Sequence, residues 1–138
     1  MKLISHNSAP AFGAGGATIT GYASPSRGAS EVSLWRIELA AASSSPLHEM
    51  DVEEIFLGLD GEATLVAGDR ESTVTPGDCL ILPAHTPFTL TAGADRPFRA
   101  VACMAAGGKA LCLRIRDHPP YITTGLSGSS LGCGPVGG

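Results

Sequence analysis

Aromatic side chains are scarce in this chain of 138 residues, with one Trp, two Tyr and four Phe making 5% of it. Hydrophobic residues still reach 43%. Disorder throughout is therefore excluded, and Ala, Val, Leu and Ile must fill a single core. Charge is sparse too: Asp, Glu, Lys and Arg make 16%, with a formal net charge of −4 and a pI near 5.4. That balance lacks the basic surface a phosphate backbone requires, so nucleic acid is not an expected partner. No apolar run approaches the length of a membrane span, and residues 1–7 (MKLISHN) lack the apolar stretch of a signal peptide. The expectation is a cytoplasmic protein without membrane contact. None of the four cysteines stands in a C-x-x-C pair, which argues against a zinc ribbon or a dithiol redox site. Cys79 and Cys103 lie in apolar runs and read as reduced core residues. Sustained helical periodicity is also missing.

Turn residues are plentiful. Gly (18) and Pro (10) make about a fifth of the chain, spread without a period, as in a fold with many tight turns. Between them lie short strand patterns. Residues 18–22 form a weak one. Residues 31–40 (EVSLWRIELA) alternate, with Trp35, Ile37 and Leu39 on one face and Leu34, Arg36 and Glu38 on the other. Strand material continues at 47–59, and Asp60-Gly61 reads as a two-residue hairpin turn into 62–67. Gly68-Asp69 turns into 70–75, which is polar on both faces and belongs near a sheet edge. Further strands are expected at 79–82, 88–92, 97–104 and 110–116. Regular short strands with turn signals predict an all-β sandwich or barrel. Its core covers about 31–116 within a domain of 1–124. The last fourteen residues, 125–138, contain six Gly and read as a flexible tail.

Charge is uneven along the chain. Eight acids and one base, Arg70, lie between Glu49 and Glu71, whereas Arg96 to Arg116 carry five bases. The simplest reading is two complementary strand faces that meet in one barrel.

The segment richest in chemistry is His48-Glu49-Met50-Asp51-Val52-Glu53-Glu54, with Gly61 after six further residues. A second is Pro76-Gly77-Asp78, with five residues between Gly77 and Pro83, then His85 and Phe88. Together these resemble the two motifs of the cupin superfamily, over roughly residues 31–116. The first motif keeps His48, Glu54 and Gly61 at the family spacing, with Met50 in place of the second histidine. The second keeps Gly77 and Pro83. His85 stands where glycine is usual, and Phe88 where the last histidine would be. The resemblance implies one small jelly-roll barrel, RmlC-like, often paired into homodimers. An apolar outer face of Ile55, Leu57 and Leu59 is in keeping with pairing.

In cupins with the full motif, three histidines and a glutamate hold one divalent ion. Here two of those four positions are filled, by His48 and Glu54. The expected cofactor is none, or a weakly bound divalent metal ion on that pair, because Phe88 has no donor and Met50 is a soft thioether. Met50, Phe56, Phe88 and Leu90 are expected to line the pocket, with His85 a loop residue at its rim. A carboxylate among such neighbours is poorly solvated, which raises its pKa. Glu54 and His48 would then form an acid/base pair. Alternatively, Glu54 pairs with an inward Arg36 and does no chemistry. Glu53 points outward by strand alternation.

The function expected is that of a small-molecule cupin with a metal-poor pocket, an enzyme of isomerase, cyclase or lyase type using Glu54 and His48. The alternatives are a metal-dependent, oxygenase-like cupin with an incomplete ligand set, and a barrel that binds a small molecule without turnover.

Overall fold

The computed structural model describes residues 1–14 and 16–113, so the 125–138 tail and the end of the expected last strand lie outside the described residues. Eleven strands appear in chain order: β1 (Ala11–Ala14), β2 (Ala17–Ala23), β3 (Val32–Leu39), β4 (His48–Met50), β5 (Glu54–Asp60), β6 (Ala63–Ala67), β7 (Arg70–Val74), β8 (Cys79–Leu82), β9 (Thr89–Ala92), β10 (Phe98–Ala105) and β11 (Ala110–Cys112). The only helical pieces among the described residues are two single 3-10 turns, at His6–Ser8 and Pro25–Arg27. No helix there is long and apolar enough to cross a membrane.

Two layers face each other. The first is a six-stranded antiparallel sheet in the order β1-β2-β3-β10-β5-β8. The second joins a three-stranded sheet, β7-β6-β9, to the pair β4-β11. The join is made by isolated bridges, Ser44 opposite Thr91 and His48 opposite Phe88. This is the all-β sandwich that the alternating pattern predicts.

Alternation decides what each layer buries. In β3, Trp35, Ile37 and Leu39 are buried while Arg36 and Glu38 are not. In β10, Phe98, Ala100, Ala102 and Met104 point inward, and the first three are fully buried. The opposing layer contributes Met50, Ala63, Leu65, Val74, Phe88, Leu90 and Ala92 to the same cluster. Each of the large ones contributes about 1.5–3 kcal/mol by leaving water. Ala102 lies between Trp35 on β3 and Phe56 on β5. Trp35 and Phe56 both line the pocket described below.

Three expectations need correction. Asp60-Gly61 is not a hairpin, because β5 pairs with β10 and β8 while β6 belongs to the other layer. The turn carries the chain between layers. Gly61 is required there both by its φ of 68° and by the Pro97 carbonyl, which sits where a Cβ would be. The genuine two-residue hairpin is Gly68-Asp69, between β6 and β7. β1, in an Ala- and Gly-rich stretch without alternation, carries no strand signal, yet it pairs with β2. Cys79 is exposed rather than core, since it falls on the outer parity of β8; it and Cys103 are free thiols, whereas Cys112 is disulfide-bonded.

The charge asymmetry resolves as expected in one respect. Arg96 and Arg99, from the basic segment, ion-pair with Asp60 of the acidic one at 3.1 and 2.9 Å. Arg99 also donates to Glu38 at 2.7 Å. β7, with four of its five residues exposed, is an edge strand.

Candidate functional site

A pocket opens between the layers, with about 670 Å³ of space free of atoms, counting its mouth. The enclosed cavity itself is about 80 Å³, smaller than most small-molecule sites. Trp35, Ile37 and Leu39 of β3 form one wall with Phe56 of β5. Phe88, Leu90 and Met50 form the other. Phe12, Ala17, Ile19 and Ala110 complete the apolar lining, and the polar contributors are Ser45, His48 and Glu54. Ser45 Oγ is already engaged, accepting from the Leu90 N–H at 3.0 Å and donating to the Pro46 carbonyl at 3.2 Å. Two polar side chains, His48 and Glu54, are therefore left for a ligand.

They come from opposite layers. β4 ends at Met50, and Asp51-Val52-Glu53 carries the chain across to β5. Asp51 pins this crossing: its carboxylate accepts from the Lys109 N–H at 2.6 Å, and its own N–H donates to the Lys109 carbonyl at 3.1 Å. His48 thus sits on one wall and Glu54 on the other, while Glu53 is exposed as alternation requires.

His48 is held on three sides. Its backbone exchanges two hydrogen bonds with Phe88, at 3.1 and 2.9 Å. The Phe88 ring lies against the imidazole, centroids 4.3 Å apart, and meets Phe56 edge-on at 6.0 Å. Nδ1 lies 2.7 Å from the Pro46 carbonyl. A carbonyl only accepts, so Nδ1 carries the proton and Nε2 of the neutral ring keeps its lone pair. Burial lowers the His48 pKa, and the Pro46 contact offsets only part of that. The ring is thus a neutral base with a fixed tautomer.

Glu54 is 1% exposed, and its Oε2 has no hydrogen-bond partner. The cause is local. In the sheet its neighbours are Met104 on one side and Leu82 on the other, both buried. Desolvation by burial pushes its pKa up to about 8. At neutral pH it carries a proton and is a donor.

Arg36 does not offset this burial, which corrects the expectation of an inward arginine. It shares parity with Leu34 and Glu38, opposite to Trp35 and Ile37, and faces out, 3.6 Å from Glu38. Met50, Phe56, Phe88 and Leu90 all line the pocket. Trp35, Ile37, Leu39 and Pro46 were missed as pocket residues. The alternation of β3 marks the first three as an inward face, whereas Pro46 has no signal in the sequence. His85 is at the rim, exposed, with its N–H bonded to the Met50 carbonyl at 2.8 Å and Nδ1 3.2 Å from Glu49 Oε1. Its φ of 58° is the conformation that glycine adopts most readily.

The residues present do not fit a divalent ion held in the usual cupin way. Among the described residues no three of His, Cys, Asp and Glu converge. Phe88, whose ring lies against His48, has no donor, and one imidazole with one carboxylate falls short of a three-ligand site.

A family model for the cupin domain matches residues 34–104, just over half of the chain. The chain belongs to the cupin family. No curated protein matches it. Among solved cupin structures, the polyketide cyclase RemF from Streptomyces resistomycificus superposes with a TM-score of 0.68 at 22% identity, over 88% of this chain and 96% of that one. An RmlC-like cupin from Shewanella frigidimarina gives 0.64 at 11% identity, over 76% and 90%. A salicylate 1,2-dioxygenase from Pseudoaminobacter salicylatoxidans gives 0.58 at 17% identity, over 64% of this cupin and 25% of the dioxygenase. A cyclase and a dioxygenase on one fold show that the barrel does not choose the reaction.

Proposed function

We propose that this cupin catalyses proton transfer on a small organic molecule, as an isomerase, cyclase or lyase that works without a bound metal. Glu54 is the acid and His48 the base. The observation that carries this reading is the pairing, across one apolar pocket, of a buried carboxyl oxygen without a partner and an imidazole whose tautomer leaves Nε2 free. An unpaired buried polar atom costs about 1–3 kcal/mol, and a ligand that accepts from Glu54 recovers it. The shared step is enolisation: His48 Nε2 takes the proton α to a carbonyl while Glu54 delivers its own to the carbonyl oxygen. Return of both protons at other positions gives isomerisation; attack of the enol carbon on a second carbonyl gives ring closure. The resemblance to a polyketide cyclase along nearly the whole of both chains supports this choice of chemistry.

The test is hydrogen–deuterium exchange at the α-carbon of 2-tetralone in D₂O. Catalysed exchange that falls at least about 100-fold in both Glu54→Gln and His48→Gln supports the reading, in line with the usual contribution of general acid–base catalysis. Undiminished exchange in Glu54→Gln contradicts it.

The expected homodimer belongs to the same proposal. Leu34, Leu57 and Ile81 are exposed on the outer face of the six-stranded sheet, and Ile55 lies between Cys103 and Ile81 there. An apolar sheet face of this kind is well suited to cover by a second copy.

A further inference from the structure

We infer that the pocket selects neutral ligands, apolar along their length with one carbonyl or hydroxyl end, and rejects anions. This deepens the proton-transfer reading and names the substrate class of the same site. The argument rests on where the cations are. Among the described residues no Lys or Arg lines the pocket. Arg36, Arg96 and Arg99 are committed to carboxylates, Glu38 and Asp60, on the far side of the six-stranded sheet. Lys109 is next in sequence to the pocket-lining Ala110 but is itself exposed. A carboxylate or phosphate entering here sheds its water and meets no counter-charge among the described residues, a loss that apolar contacts do not offset.

The polar contacts on offer are also few. Ser45 Oγ is already bonded to backbone, so the free ones are His48 and Glu54. Leu39, Phe12 and Ile19 offer the rest of the molecule nothing but apolar surface. A ligand with polar groups spread over its length leaves most of them unpaired. A cation is the remaining case: it needs Glu54 ionised, and Met104 and Leu82 flank that carboxyl on both sides.

Trp35 is the only tryptophan and lines the pocket, so its fluorescence reports occupancy directly. Three ligands on one bicyclic frame separate the cases at pH 7: 2-tetralone (neutral), tetralin-2-carboxylate (anion) and 2-aminotetralin (cation). The expected result is saturable quenching by the ketone, with the carboxylate and the amine each weaker by about tenfold or more. Ala17→Phe, which fills the pocket, removes the ketone response while the thermal transition stays cooperative. Ile19→Lys supplies the missing cation at a partly buried position and shifts the preference towards the carboxylate by about tenfold. Equal or tighter binding of the carboxylate or the amine by the unaltered chain overturns the inference, whatever the exchange assay gives. Preferred binding of the ketone together with exchange that ignores Glu54 leaves this selectivity standing and removes the proton-transfer reading.

Discussion

Replacing Glu54 by Gln keeps the side chain's shape and removes its titration, and the structure dictates how stability should respond. The pKa of Glu54 is raised from 4.5 to about 8 in the folded chain. Between those values the folded chain holds a proton that the unfolded chain has released. Stability therefore falls as pH rises, by about 1.4 kcal/mol per pH unit, and levels off above 8. The sign is opposite to that of an ion-paired carboxylate, which gains stability over its window. Burial lowers the His48 pKa, so His48 costs stability as pH falls below 6.5; it is present in both chains and cancels to first order in the difference. Urea unfolding of both chains, followed by Trp35 fluorescence at pH 5, 7 and 9, reads that difference. Glu54→Gln should gain on the unaltered chain by on the order of 4 kcal/mol between pH 5 and 9. A difference constant to within about 0.5 kcal/mol refutes the reasoning, because it would mean that Glu54 reaches water or a cation.

Three other consequences are open to measurement. Met50→His with Phe88→His completes the four-ligand set of the family and should confer stoichiometric divalent metal, whereas the unaltered chain, analysed without a His-tag after incubation with iron, copper, manganese, nickel and zinc, should retain less than about a tenth of an equivalent; near-stoichiometric metal that is lost in Glu54→Ala contradicts the fit argued above. His85 occupies a left-handed conformation, so His85→Val should be less stable than His85→Gly by about 1–2 kcal/mol in thermal or urea unfolding, and equal stabilities count against strain at the rim. Sedimentation at micromolar concentration should give a dimer that Ile81→Asp or Leu57→Glu dissociates; a monomer, or a dimer indifferent to both changes, places the contact elsewhere.

Much of this was legible before any coordinates. The period of two in β3, with Pro and Gly between the strands, points to the sandwich, since a half-buried strand must alternate. The spacing from His48 to Glu54 to Gly61 pointed to two residues that line the pocket, His48 and Glu54, and Met50 and Phe88 stand where the resemblance puts further ligands. Sequence failed where the physics is not local. Asp60-Gly61 has hairpin chemistry, but whether two strands pair depends on which layer each joins, and β5 found its partners in β8 and β10. Arg36 was proposed as a partner for Glu54 because a buried acid invites a base. Its own parity already placed it outside, and that signal should have prevailed. The Pro46 carbonyl that fixes the tautomer of His48 is a backbone group, and no side-chain pattern marks it. β1 went unseen because Ala and Gly carry almost no patterning.

The account depends on Glu54 being protonated and unpaired inside an apolar pocket. The most direct test is the side-chain carboxyl ¹³C resonance of Glu54, assigned by its loss in Glu54→Gln and followed by NMR from pH 4 to 10. The account predicts a single titration with its midpoint near 8, far above the other glutamates. A midpoint in the ordinary carboxylate range, around 4 to 5, would contradict it and leave the pocket without its acid.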